Sequence, residues 1–139
     1  MLIAISVLGD YSLNAACTHS PLANHFTCHF HHANIFHLAA NAFCLFVMRP
    51  NPIQMLLSYP IAVLSTFFTH TPTVGISAMI YAYIGLNILR WRMSNIDILF
   101  FIIVNLITLF IPNIASFVHI VACILGMVCY VLYKKYAVG

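Results

Sequence analysis

The sequence predicts an all-α, polytopic membrane protein, a single domain over residues 1–139 built as a bundle of six transmembrane helices. Three observations carry that expectation. Hydrophobic residues make up 63% of the chain and charged residues 5%, with a mean hydropathy of +1.02. A water-soluble domain carries roughly 25% charged residues, and five basic and two acidic side chains cannot clothe a surface that faces water. Apolar runs close to the length of a bilayer span alternate with clusters of helix stoppers, and every Lys and Arg falls after an even-numbered run.

The first run, residues 2–16, is read as a short helix interrupted by Asp10. It lacks a basic leading region, so a cleaved signal peptide is not expected. Five further runs approach the roughly 17 to 25 residues of a membrane span: 32–48, 53–69, 75–91, 96–111 and 115–133. Between them lie Arg49-Pro50-Asn51-Pro52, His70-Thr71-Pro72-Thr73, Arg92-Met93-Ser94-Asn95 and Pro112-Asn113, which are turn and stop signals. Several of these runs are short for a full crossing.

Arg49 follows the second run, Arg90 and Arg92 the fourth, and Lys134 and Lys135 the sixth. That places all positive charge on one side, which the positive-inside rule makes cytoplasmic. Trp91, Tyr133 and Tyr136 stand at the same ends, where interfacial aromatics belong. The expected location is a cell membrane, bacterial by inference, with the C-terminus in the cytoplasm. The bilayer is one partner. Nucleic acid is excluded, because no basic run or aromatic-interleaved Arg/Lys patch exists.

Orientation sets the depth of each polar residue. The second, fourth and sixth runs all descend from the outer face. At about 1.5 Å per residue, His37 and Asn41 lie roughly 8 and 14 Å down the second run and His119 roughly 6 Å down the sixth. Ser77 lies near the top of the fourth. Polar side chains at membrane depth point by default to a functional site. Ser77, Tyr81 and Gly85 repeat every fourth residue and share one helix face, as do His119, Ala122 or Cys123, and Gly126. Small residues such as Gly85 and Gly126 let two helices approach closely, and laying one stripe on the other brings Ser77 to His119. A serine hydroxyl becomes a nucleophile when a neutral histidine takes its proton. His37 and Asn41, spaced i, i+4, present N–H donors on one face, and the Ser77 backbone N–H is a third candidate oxyanion donor. Asp10 and Asp97 fall elsewhere, so the chain builds a dyad rather than a triad.

The order His32-x4-His37-Leu-x2-Asn41, then Gly75-Ile-Ser77-x3-Tyr81, then His119-x6-Gly126 resembles the rhomboid family of intramembrane serine proteases. The resemblance covers about residues 25 to 130. It implies a six-helix rhomboid-like bundle in which Ser77 is the nucleophile and His119 the general base. It also implies oxyanion-side roles for His37 and Asn41, a His32 that braces the first loop, and a Tyr81 on which the catalytic imidazole packs. The substrates implied are single-pass transmembrane proteins, cut without a cofactor. The sequence departs from the family at Ala78, where glycine usually follows the serine, and at Val118 and Ala122 in the last motif. No Trp-Arg pair appears near Ala23-Asn24, and the first helix and loop are short. The rival expectation is an inactive rhomboid-like protein that binds membrane clients.

The crowd of His25, Cys28, His29, His31, His32 and His37 invites a metal reading, but no His-Glu-x2-His or paired Cys-x2-Cys spacing accompanies it. No metal site is expected, and His25, His29, His31 and His70 are read as interfacial loop residues. Cys44, Cys123 and Cys129 sit in apolar runs as small hydrophobes, and a Cys17–Cys28 disulfide is not expected.

Overall fold

A computed structural model describes residues 7–8, 15–89, 99, 103, 106 and 115–137. Its elements in chain order are β1 (Val7–Leu8), α1 (Leu22–Thr27), a 3-10 turn (Cys28–Phe30), β2 (His31–His32), α2 (Ile35–Met48), α3 (Pro52–Thr66), α4 (Ser77–Ile88) and α5 (Ser116–Ala137). The architecture is all-α, with β1 and β2 forming one short parallel pair in the register Val7 to His31 and Leu8 to His32.

The expected bundle of six spans is overturned. Among the described residues one helix, α5, is long and apolar enough to cross a bilayer, with a mean hydropathy of 2.1 over Ser116–Tyr136. Helices α2, α3 and α4 contain 14, 15 and 12 residues. At 1.5 Å per residue they reach about 18 to 22 Å, against a hydrocarbon core of about 30 Å. The N-terminal run, expected as a first helix, is strand at Val7–Leu8, and Ala16 bridges Thr73 in antiparallel fashion. The run at 96–111 lies outside the described residues apart from the helical positions 99, 103 and 106.

Local chemistry explains why the helices stop early. Arg49 closes α2 in the left-handed conformation with φ 45°, and Pro50 follows it. Asn51 then caps α3, its side-chain oxygen accepting from Ile53 N at 3.0 Å and Gln54 N at 3.3 Å, with Pro52 in the first turn. Beyond α3, the Thr69 carbonyl is drawn into loop pairing: Thr18 N–H donates to Thr69 O at 2.8 Å, and the Thr18 hydroxyl to the same oxygen at 2.7 Å. The fourth apolar run spends residues 75–76 on a turn before α4 begins.

Helix α4 is the centre of the molecule, held between α3 and α5. Ile76, Ala78, Met79, Ile80, Ala82 and Tyr83 are buried there against Met55, Ile61 and Ala62 of α3 and Val118 and Ala122 of α5. The hydroxyls of Ser58, Ser65 and Thr66 are buried in α3 and donate to the carbonyls of Met55, Ala62 and Val63 at 2.6 to 2.7 Å, so each satisfies itself within the helix. The crossing of α4 and α5 is set by two glycines. A Cβ on Gly85 would collide with the Cys123 carbonyl, and one on Gly126 with the Ala82 carbonyl and, at 2.9 Å, with Leu86 N.

The outward faces are apolar. Phe36 is 82% exposed, Phe46 and Ile53 71%, and Leu56 68%, and large exposed apolar side chains in number mark surfaces that meet a partner or a membrane. On α5 only 33% of the apolar window is buried, unlike the core helix of a soluble domain.

Candidate active site

Two loops prepare the N-terminus of α4. Thr73 and Ala16 exchange backbone hydrogen bonds of 3.0 Å in both directions, and Gly75 N–H donates to Cys28 O at 2.9 Å. Gly75 takes φ +106°, a region that side-chain-bearing residues rarely adopt. This turn presses the backbone against α2. A Cβ on Gly75 would stand 2.7 Å from His37 Cε1 and 3.4 Å from Asn41 Nδ2. Helix α4 then starts at Ser77, and His119 lies in the first turn of α5.

Ser77 Oγ and His119 Nε2 are 2.8 Å apart, and both residues are 8% exposed. The imidazole stacks on the Tyr81 ring with centroids 4.5 Å apart and planes 4° from parallel. One helical turn below Ser77, Tyr81 therefore fixes the ring plane, while the glycine crossing fixes the distance between the two backbones. Ala78 at 2%, Val118 at 0% and Ala122 at 0% exposure surround this pair in the core, and the hydrogen bond is made with those residues in place.

When Ser77 donates its hydroxyl proton to Nε2, a neutral His119 carries its own proton on Nδ1. That Nδ1 is buried with no partner among the described residues, and Asp10 and Asp97 lie outside them. On α2, against the Gly75 turn, the Asn41 amide Nδ2 is a buried donor with no partner among the described residues, and His37 is half-buried at the same turn. The Ser77 N–H belongs to the first turn of α4, where amides have no intrahelical acceptor. A hydroxyl, an imidazole and convergent donors can together perform acyl transfer.

The His-rich segment is more deeply buried than expected. His25 and His29, read from the sequence as interfacial, are each 1% exposed, whereas His70 is exposed and His31 half-buried. His25 stacks on Phe67 at 3.8 Å, and its Nδ1 lies 2.7 Å from Thr66 Oγ1. The Thr66 proton is already given to Val63 O, so His25 Nδ1–H is the donor. His29 sits edge-on to Tyr59 at 5.8 Å, and His32 edge-on to His37 at 5.2 Å. Burial holds the His29 pKa down to about 4, and it does the same for His32, helped there by repulsion from His37 and His31. Burial also pushes the Cys28 thiol up to about 12. The i, i+4 spacing of His25 and His29 around Cys28 is the signal that points these groups to one side. Among the described residues, no three His, Cys, Asp or Glu side chains are grouped to hold a metal ion.

Compared with known protein families, with characterised proteins and with solved structures, the chain matches none.

Proposed function

We propose that this chain is a rhomboid-like serine endopeptidase that works in a membrane and cleaves transmembrane segments of single-pass membrane proteins. The observation that carries the reading is the 2.8 Å contact between Ser77 and His119, buried and stacked on Tyr81. In the first half-reaction His119 Nε2 takes the Ser77 proton as Oγ attacks the scissile carbonyl. The carbonyl electron pair moves onto oxygen, where Asn41, His37 and the Ser77 N–H stabilise the charge. Collapse breaks the C–N bond, and the imidazolium returns its proton to the leaving amine. Water then attacks the acyl-serine with the same base, releasing the carboxylate product and restoring Ser77. Every proton is accounted for by the dyad, and no cofactor takes part.

Membrane residence is supported by α5 and by the apolar outer faces of α2 and α3. Lys134 and Lys135 end α5, so the C-terminus belongs in the cytoplasm and the dyad, at the other end of that helix, towards the outer face.

A fluorophosphonate probe on the purified chain, together with a model single-pass substrate, tests the proposal. Labelling and cleavage by wild type, both abolished in Ser77→Ala and reduced at least a thousandfold in His119→Ala, are the expected results. Unchanged turnover in either variant removes the dyad from the reaction. Folded wild-type protein that neither labels nor cleaves identifies a client-binding protein instead.

A further inference from the structure

The far end of α5 carries a second feature that the dyad does not use. Gly85 meets Cys123 and Gly126 meets Ala82 across the α4–α5 crossing, and this parallel register brings Leu89, the residue that closes α4, level with Tyr130 and Val131. Helix α4 ends there, while α5 continues to Ala137. At this step lies an open cleft of about 520 Å³ lined by Leu89, Tyr130, Val131, Lys134 and Lys135. Its composition is graded along the helix. Leu89 and Val131 are exposed apolar surface, and one turn further on stand two exposed ammonium groups. Tyr130 and Lys134 share one stripe of α5, Val131 and Lys135 the next. Lys135 Nζ lies 5.3 Å from the Tyr136 ring centroid, which holds it at the aromatic end of the helix. The two acidic residues of the chain, Asp10 and Asp97, belong to neither helix, so the lysines have no carboxylate on α4 or α5.

We propose that this cleft binds the headgroup of an anionic phospholipid of the cytoplasmic leaflet. The phosphate would lie between Lys134 and Lys135, the Tyr130 hydroxyl would donate to it, and the first acyl carbons would lie along Leu89 and Val131. Resting on the reading that α5 crosses the membrane, the site places charge where lipid phosphates sit and hydrocarbon one turn deeper, which a soluble anion would not use. A cleft of this size falls within the roughly 300 to 1,000 Å³ of ordinary ligand sites. Each lysine near an anionic surface favours binding by about fivefold, converted at 1.4 kcal/mol per tenfold.

The single tryptophan, Trp91, follows Leu89 by two residues in the chain and is the intrinsic fluorophore of the experiment. The full chain is reconstituted in vesicles, and Trp fluorescence is titrated with brominated phosphatidylglycerol or brominated phosphatidylcholine. Stronger quenching by the anionic lipid is expected, with a preference of about five- to twenty-five-fold. It should persist in Lys134→Arg/Lys135→Arg and fall to near unity in Lys134→Gln/Lys135→Gln. Equal quenching by both lipids in wild type, or a preference unchanged in the glutamine pair, overturns the site while leaving α5 in the bilayer. Loss of the preference on adding millimolar inorganic phosphate assigns the cleft to a soluble anion and overturns it too. No quenching by either lipid overturns the membrane reading and the site together. Fluorophosphonate labelling of Ser77 reports the dyad separately from every one of these outcomes.

Discussion

Helices α4 and α5 are locked together by backbone contact, whereas α2 buries little of its surface against the other described residues. On α4 nearly every residue from Ser77 to Tyr83 is buried. On α2 only Asn41 is, and Phe36, Phe43, Phe46 and Val47 all face outward. The two halves of the proposed chemistry are divided along that line. The proposed nucleophile and base sit on the rigid pair, where a fraction of an ångström matters, and the proposed oxyanion donors His37 and Asn41 sit on α2, against the Gly75 turn. This division teaches that reach between Ser77 and His119 is set by packing, while the donors are set by one turn.

The largest effect should come from breaking the rigid side. In Gly85→Leu a Cβ meets the Cys123 carbonyl, which is backbone and cannot turn aside. Overpacking of this kind costs about 1–3 kcal/mol and sometimes more. The expected outcome is a lowered unfolding midpoint together with loss of fluorophosphonate labelling. The matched change on the loose side, Phe43→Ala at a 67% exposed position, should shift the midpoint by no more than about 0.5 kcal/mol. Equal losses at both sites would erase the contrast.

The rigid side was also the legible side. Ser77, Tyr81 and Gly85, with His119, Ala122 and Gly126, fall at helical spacing, and periodicity is enough to put them on facing stripes. The helix lengths were not legible. Apolar composition reports the solvent a residue prefers, but Arg49-Pro50-Asn51-Pro52 and the Gly75 turn decide where hydrogen bonding stops, and they cut runs of span-like composition to two-thirds of a span. Nor was the strand at Val7–Leu8 legible, because a short apolar run reads equally as helix or strand until its partner, here His31–His32, is known. The burial of His25 and His29 depends on Phe67, Thr66 and Tyr59, all distant in sequence.

Next in size are changes at the seam. Asn41→Ala removes a buried donor that has no other partner among the described residues, so stability should hold while turnover falls by about a hundred- to a thousandfold. Substrate cleavage and the unfolding midpoint, measured on the same preparation, check this. Turnover within threefold of wild type would take Asn41 out of the oxyanion site. Gly75→Ala should lose activity as well, since φ +106° and the 2.7 Å approach to His37 leave no place for a methyl.

Acid should also discriminate between the two regions. His29 and His32 titrate near 4 in the folded chain, below the ordinary value of about 6.5. A depressed folded pKa means that the unfolded chain binds more protons between those limits. Stability is therefore complete above pH 6.5 and is lost as pH falls towards 4. By linkage each ring removes about 1 kcal/mol by pH 5.5. Both lie on the segment leading into α2, so hydrogen exchange at pH 5.5 should rise there first and in α4 and α5 last. His29→Phe should flatten part of this pH slope. Simultaneous loss of protection in all three helices would mean that the two regions unfold as one.

The smallest expected effect concerns orientation within the rigid pair. Tyr81 lies flat against His119 at 4.5 Å, and an aromatic stack of this kind contributes about 0.5–1.5 kcal/mol beyond its buried area. Tyr81→Leu keeps the apolar volume and removes the ring, so kcat should fall by about three- to tenfold with KM unchanged. Tyr81→Phe keeps the ring, and the difference between the two variants isolates the stack from whatever the hydroxyl does. If leucine and phenylalanine behave alike, the glycine crossing alone holds the imidazole, and the rigid side of the molecule needs no aromatic support to keep base and nucleophile in reach.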